Sequence, residues 1–161
     1  MGAGSRYPVR RRVGNVQSQR HRGRYRPAHA EHLTFTTSDF DVTDYVPDVT
    51  TALPTGHLRM RKTYAGDVVG RSVTQFTSAF DQNTGVGTYV AMESFEGAVA
   101  GRHGAFNFVH AASTSGTERA DEYGLIVPGS GTDELTGIAG TVRLHIDDDG
   151  THRMDFDHNL G

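Results

Sequence analysis

From residue 31 onward, apolar and polar residues alternate in short runs with a period of two. Leu58, Met60, Lys62 and Tyr64 share one side of such a run. Tyr89, Ala91, Glu93 and Phe95 share a side of a second, Phe106, Phe108 and His110 of a third, and Met154, Phe156 and His158 of a fourth. Successive side chains of a strand point to opposite faces, so this period predicts half-buried β-strands rather than helices. The residue types agree: the stretch holds 18 Thr, 12 Val and 3 Ile against 7 Leu, and β-branched side chains suit a pleated surface better than a helix. Turn chemistry cuts the runs at Ala65-Gly66-Asp67, Asn83-Thr84-Gly85, Gly101 to Gly104, Ser115-Gly116 and Asp148-Asp149-Gly150. Eight strands are predicted, near 32–40, 57–64, 67–80, 86–96, 104–112, 117–127, 140–146 and 151–158. Short connections make sequential strands antiparallel neighbours. Eight of them predict an all-β closed barrel or sandwich, closure removing the edges that would recruit another chain. The stretch from Pro128 to Gly137 departs from the pattern and predicts a turn leading into one helical turn, with Thr132 as N-cap and Gly137 as terminator.

Charge divides the chain in two. Residues 1–30 carry eight Arg, no acid and almost nothing apolar, which predicts a disordered leader ahead of a single domain at 31–161. No apolar stretch follows these arginines, so a secretory signal is not expected and a cytoplasmic setting is; an Arg-rich transit peptide fits the composition as well. Electrostatic attachment of the leader to nucleic acid or an anionic surface is one reading, an idle extension the other. The remaining residues hold 8 basic and 19 acidic groups, a net of −11 that repels phosphate and argues against a folded nucleic-acid surface. No apolar run approaches the roughly 20 residues of a membrane span. With no Cys among the 161 residues, disulfides, thiolate metal sites and a Cys nucleophile are excluded.

The residues between 86 and 140 carry a resemblance. Met92-Glu93-Ser94-Phe95-Glu96-Gly97 is followed by Gly101-Arg102-His103-Gly104-Ala105-Phe106, His110, Val127-Pro128-Gly129-Ser130-Gly131-Thr132 and Glu134-Leu135-Thr136-Gly137-Ile138-Ala139-Gly140. With Lys62-Thr63-Tyr64-Ala65-Gly66-Asp67 upstream, this pattern resembles the bacterial domain of unknown function 3224 over roughly residues 33–160. The resemblance implies an eight-stranded antiparallel barrel similar to allene oxide cyclase, with a central cavity, and by the same analogy a homo-oligomer. It implies no reaction. The sequence departs from the family where a Trp usually precedes the Pro-Gly-Ser-Gly stretch; here the neighbourhood is Tyr123-Gly124-Leu125.

If the aromatic faces line a lumen, Lys62, Glu93, His110 and His158 are ionisable groups in a mostly apolar cavity. Burial would raise a carboxyl and lower Lys and His unless they pair, the usual preparation for proton transfer near neutral pH. Glu93, His110 and Lys62 are therefore the candidate catalytic residues, and Tyr64, Tyr89, Phe95, Phe106, Phe108 and Tyr123 the candidate ligand-binding walls. Each has a structural counter-reading: Glu93 pairs with Lys62 or Arg102, His110 satisfies a strand end, Lys62 lies at the rim beside Arg59 and Arg61, and His158 sits near the terminus. The other face of the 86–96 run, with Val86, Thr88, Val90, Met92 and Ser94, is equally apolar, so a slip of one residue reverses the reading. No metal site is expected, because the nine histidines form no compact spacing and Asp147-Asp148-Asp149-Gly150 reads as a hairpin turn. Gly129-Ser130-Gly131 lacks the Lys of a phosphate loop and reads as structural.

Two functions share this lumen. One is a cyclase or isomerase, with no cofactor, acting on an apolar, polyketide- or lipid-like substrate, Glu93 or His110 moving a proton. The other is a non-catalytic barrel that binds small apolar molecules. A third, an adaptor acting through the Arg-rich leader, rests on residues 1–30 alone.

Overall fold

In the computed structural model the described residues are 29–44, 46 and 48–160. The leader expected at 1–30 lies outside them but for its last two residues, which open the first strand. Eight strands run in chain order: β1 (His29–Thr43), β2 (Thr55–Gly66), β3 (Val68–Asp81), β4 (Val86–Val99), β5 (Arg102–Ser115), β6 (Glu118–Ile126), β7 (Gly140–Ile146) and β8 (His152–His158). Each pairs antiparallel with the next, and β1 pairs with β8, closing the ring as a barrel. No helix among the described residues is long and apolar enough to cross a membrane.

Two devices turn this regular ring into something less symmetric. The first is the β6–β7 connection. A 3₁₀ turn, Asp133–Leu135, the one helical element among the described residues, drives Leu135 and Ile138 into one end of the barrel, where both are fully buried in a cluster with Leu33, Phe106, Phe108, Met154 and Phe156. Phe156 meets Phe106 and Phe108 edge-on, at 83° and 87°, the arrangement aromatic quadrupoles favour. Thr132 stands at the expected N-cap position, yet its hydroxyl caps nothing. It accepts the Ala105 N–H at 3.0 Å and donates to the Asp133 carboxylate at 2.9 Å, so it ties the plug to β5. Ser130 does the same one turn earlier, accepting the Asn107 N–H and donating to the Val127 carbonyl at 2.7 Å. Gly137 ends the turn at φ 83°, as expected.

The second device is a pair of bulges. Opposite Arg59–Arg61 of β2, β1 carries one extra residue, with Asp39 at φ 51°; opposite Ala111–Ser113 of β5, β6 carries one extra, with Asp121 at φ 51°. An extra residue reverses which side chains face inward beyond it. Beyond β6, the ring is thinnest: β6 and β7 pair only at Leu125–Thr141 and Ile126–Gly140, and then separate. The barrel is thus solid at the plugged end, open at the other, and slit along the β6–β7 seam.

Candidate functional site

The inward faces of β2, β3, β4 and β5 are Met60-Lys62-Tyr64, Ser72-Thr74-Phe76, Tyr89-Ala91-Glu93-Phe95 and Phe106-Phe108-His110-Ala112. The expected face of β4 is therefore the buried one, and Val90 and Met92 lie outside, half exposed. Register brings the polar members of these faces to one level: Lys62 opposite Ser72, Thr74 opposite Glu93, Ala91 opposite His110.

Glu93, fully buried, is the centre of the cluster. Its Oε1 takes an ion pair with Lys62 Nζ and a 2.8 Å hydrogen bond from His110 Nε2; its Oε2 accepts from Tyr64 at 2.6 Å and Ser72 at 2.5 Å. Lys62 Nζ also lies 4.6 Å over the Phe35 ring. Burial pushes the Glu93 carboxyl up, but the His110 hydrogen bond and the Lys62 charge outweigh it and hold the group well below the ordinary carboxylate range. Glu93 is a carboxylate whose acceptor sites are filled.

His110 carries the cluster outward. Burial lowers its pKa against the opposing pull of the Glu93 hydrogen bond, so the imidazole is neutral at pH 7 and holds one N–H. A carboxylate can only accept, which puts that proton on Nε2 and leaves Nδ1 as acceptor. Tyr89 lies 3.1 Å from Nδ1 and donates to it, while Arg119 Nη2 donates to the Tyr89 oxygen at 3.0 Å. Burial also raises the pKa of Tyr64 and Tyr89, so both phenols stay protonated. One continuous chain, Lys62–Glu93–His110–Tyr89–Arg119, runs from the barrel axis to its wall.

That wall is open. A cavity of about 220 Å³ enters from the unplugged mouth between Phe40, Met60, Phe76 and Ile146, and a cleft of about 350 Å³ enters through the β6–β7 seam. Tyr89, His110, Arg119 and Leu144 line both, so the two meet at the outer end of the chain. Lys62 lines the mouth cavity, and Glu93 lines neither.

The structure brings Lys62, Glu93 and His110 together and places His158 elsewhere. His158 is buried at the plugged end, its Nε2 3.7 Å from Glu31. Of the six expected ligand-binding walls, Tyr89 lines these cavities. Tyr64, Phe95, Phe106 and Phe108 are instead core, packed in the closed half, because the plug fills the space that would have been lumen. Tyr123 stands opposite Ala111 on the outer face and is 56% exposed; it lines only the outer lip of the cleft. Lys62 is not at the rim but 4% exposed. Sequence reasoning missed Ser72, Phe76 and above all Arg119. Ser72 and Phe76 sit on a run whose alternation was readable, whereas Arg119 faces inward only because of the β6 bulge.

A family described as a protein of unknown function, DUF3224, matches residues 32–158. The crystal structure of a protein of unknown function from that family, from Shewanella oneidensis MR-1, is similar to this fold with a TM-score of 0.73 at 25% identity. The match covers 83% of this chain and 98% of that one. No curated protein matches the sequence. With 127 consecutive positions matched, from His32 to His158, and the same fold in a relative, the chain belongs to the DUF3224 family.

Proposed function

We propose that the open half of the barrel takes up a small, largely apolar molecule and isomerises or cyclises it by proton transfer, without a cofactor. His110 rather than Glu93 is the proton carrier in this reading. Glu93 is saturated and out of reach of the cavities, so it acts as a positioning residue that fixes the Nε2–H tautomer and would stabilise the imidazolium formed when Nδ1 takes a proton. Tyr89 is the hydroxyl between His110 and a bound molecule, and shuttles the proton by giving its own to Nδ1. The observation that carries the reading is the buried Lys62–Glu93–His110 cluster ending on a solvent-reachable cavity. Burying such charges gains little stability by itself, and perturbed ionisable groups in clefts concentrate at functional sites.

One observation favours the second reading, a barrel that binds without reacting: both His110 nitrogens and both Glu93 oxygens already have partners within the protein. Incubating the protein with a bacterial small-molecule extract in D₂O separates the two. A proton-transfer enzyme leaves a compound that gains deuterium or shifts retention time with the wild type and not with His110→Ala. A compound enriched on the protein but unchanged makes it a binder. A homo-oligomer in the cytoplasm belongs to the same reading, and the outward rows Val90–Ala111–Tyr123 and Met92–Val109–Leu125 offer the surface for association.

A further inference from the structure

Arg119 is an unusual side chain to find on the inside of this barrel. The bulge at Asp121 turns it inward, opposite Thr114, at the junction of the mouth cavity and the β6–β7 cleft. Its side chain is 17% exposed. Among the described residues its single hydrogen bond runs from Nη2 to Tyr89, and its Nε is buried without a hydrogen-bond partner. The carboxylate of Glu122 stands 3.5 Å from Nε, too far to satisfy it. A buried donor left unmade costs more than a bond gains, so the guanidinium is under-satisfied where it lines the two cavities.

Arg119 is the cation of this space least tied to a buried partner. Lys62 is held by the fully buried Glu93 and His110 is neutral, whereas the ion pair of Arg119 is a long one, to the part-exposed Glu122; Arg143 lines the cleft and His152 the mouth. Residues 31–161 as a whole carry a net charge of −11, which works against any anion without a dedicated cation. We infer that Arg119 anchors the carboxylate of a small apolar acid, with the apolar body lying in the mouth cavity against Met60, Phe76, Leu144 and Ile146. This rests on the reading of the open half as a ligand cavity and names the class of ligand it takes. The guanidinium has Nη donors left beyond the one bond from Nη2 to Tyr89, and its planar end matches a carboxylate. Among the described residues the other fixed cations lining this space are Lys62, paired with Glu93, and Arg143 of the cleft, so one guanidinium is offered to the entering group, which suits a monoanion better than a phosphate. The anchor also sets the reacting end: a carboxylate on Arg119 places the adjacent carbons beside the Tyr89 hydroxyl and His110.

The protein has no Trp, so naphthalene fluorescence can be read without interference. The test titrates wild type, Arg119→Gln, Arg119→Lys and Glu122→Gln with 2-naphthoate and with 2-naphthamide, its neutral isostere. Wild type should bind the acid at least about tenfold more tightly than the amide, a difference of about 1.4 kcal/mol. Arg119→Gln should erase that preference while leaving the amide within about twofold; Arg119→Lys should keep part of it; Glu122→Gln should tighten the acid alone. Equal binding of acid and amide by wild type overturns the inference and leaves the cavity reading intact. Equal loss of both ligands in Arg119→Gln makes Arg119 a wall residue and overturns it too. Binding of neither compound counts against the cavity reading itself.

Discussion

Replacing Glu93 by Gln isolates the energetics of the buried cluster. The amide keeps the shape and removes the charge. Its oxygen can still accept from Lys62 and His110, and its NH₂ then faces Tyr64 and Ser72, whose hydroxyls can turn to accept. What cannot be repaired is the Lys62 ammonium, 4% exposed and left without a counter-ion. Breaking one side of a buried ion pair costs about 3–5 kcal/mol, and for a domain of this size that lowers Tm by roughly 10–15 °C. Removing both charges should be cheaper than removing one. The double variant Lys62→Met/Glu93→Gln leaves no stranded ion, and exchange of a buried pair for neutral groups of similar volume is close to neutral. It should unfold within about 2 kcal/mol of wild type, less than the sum of the single losses. Urea unfolding followed by far-UV circular dichroism measures all four proteins. A Glu93→Gln loss below about 1 kcal/mol, or a double variant equal to the sum of the singles, would refute the picture of a desolvated, mutually dependent pair.

Other outcomes follow from the same geometry. His110 and His158 both have their pKa lowered by burial, so the unfolded chain takes up protons near pH 6.5 that the folded one refuses. Stability is then lost as pH falls from about 6.5 toward the folded values, with a slope of up to about 1.4 kcal/mol per pH unit for each proton. His32, raised by its hydrogen bond to Asp155, has the opposite sign and loses its contribution as pH rises, but it is fully exposed and screened. A Tm that stays flat or rises between pH 7 and 5.5 contradicts this. Leu135→Ala, which removes the tip of the plug, should cost about 2–5 kcal/mol by opening a void beside Phe106 and Phe156; a loss under 1 kcal/mol in chemical denaturation means the plug is loosely packed. Lys62, the only lysine, should resist acetic anhydride in the native protein and react on unfolding in urea, read as a mass shift on its peptide. Rapid native labelling would place it at the surface.

The strand pattern was legible because most runs alternate and end in Gly- or Asp-containing turns; the observed elements extend β1, β2 and β5 by two or three residues at each end and β4 by three at its C-terminal end, and leave the other four within one residue of the expected bounds. The inward sets of β2 and β5 followed from the same alternation, whereas β4 offered two equally apolar faces, and it is the register with β3 and β5 that turns Glu93 inward to Lys62 and His110. Two things were not legible. A bulge is one extra residue in a strand, and nothing in Arg119-Ala120-Asp121-Glu122-Tyr123 announces that Asp121 will adopt φ 51° and reverse the parity. Alternation read straight through β6 puts Tyr123 and Arg119 on the same side, whereas the bulge sends one out and the other in. The plug was the other. The Pro128–Gly137 segment reads correctly as a turn with a short helical element, but where it docks depends on pairs far apart in sequence, such as Thr132 with Ala105 and Leu135 with the aromatic core. That docking decides which aromatics are walls and which are core.

The position of the charged cluster along the barrel axis follows from side-chain size. Read from the open end inward, β4 presents Tyr89, Ala91, Glu93 and Phe95, and β5 presents Ala112, His110, Phe108 and Phe106. Alanines sit on the cavity side of the cluster and phenylalanines on the plug side, so the packed half ends at Glu93 and the space begins at His110. This order suits a polar chain that must be dry at one end and reachable at the other. Inside, the low dielectric strengthens the Lys62–Glu93–His110 contacts and fixes a single proton arrangement. At the cavity, Arg119 keeps donors within reach of whatever enters, and Tyr89 links that end to His110. A cluster one layer deeper would be sealed under Phe95 and Phe108, and one layer shallower would be hydrated and screened. Structural satisfaction of a buried lysine requires only a carboxylate. It does not require that the carboxylate be linked through a neutral imidazole to a phenol and a half-satisfied guanidinium on the wall of an open cavity, and that linkage is what the reading as a ligand-handling site explains.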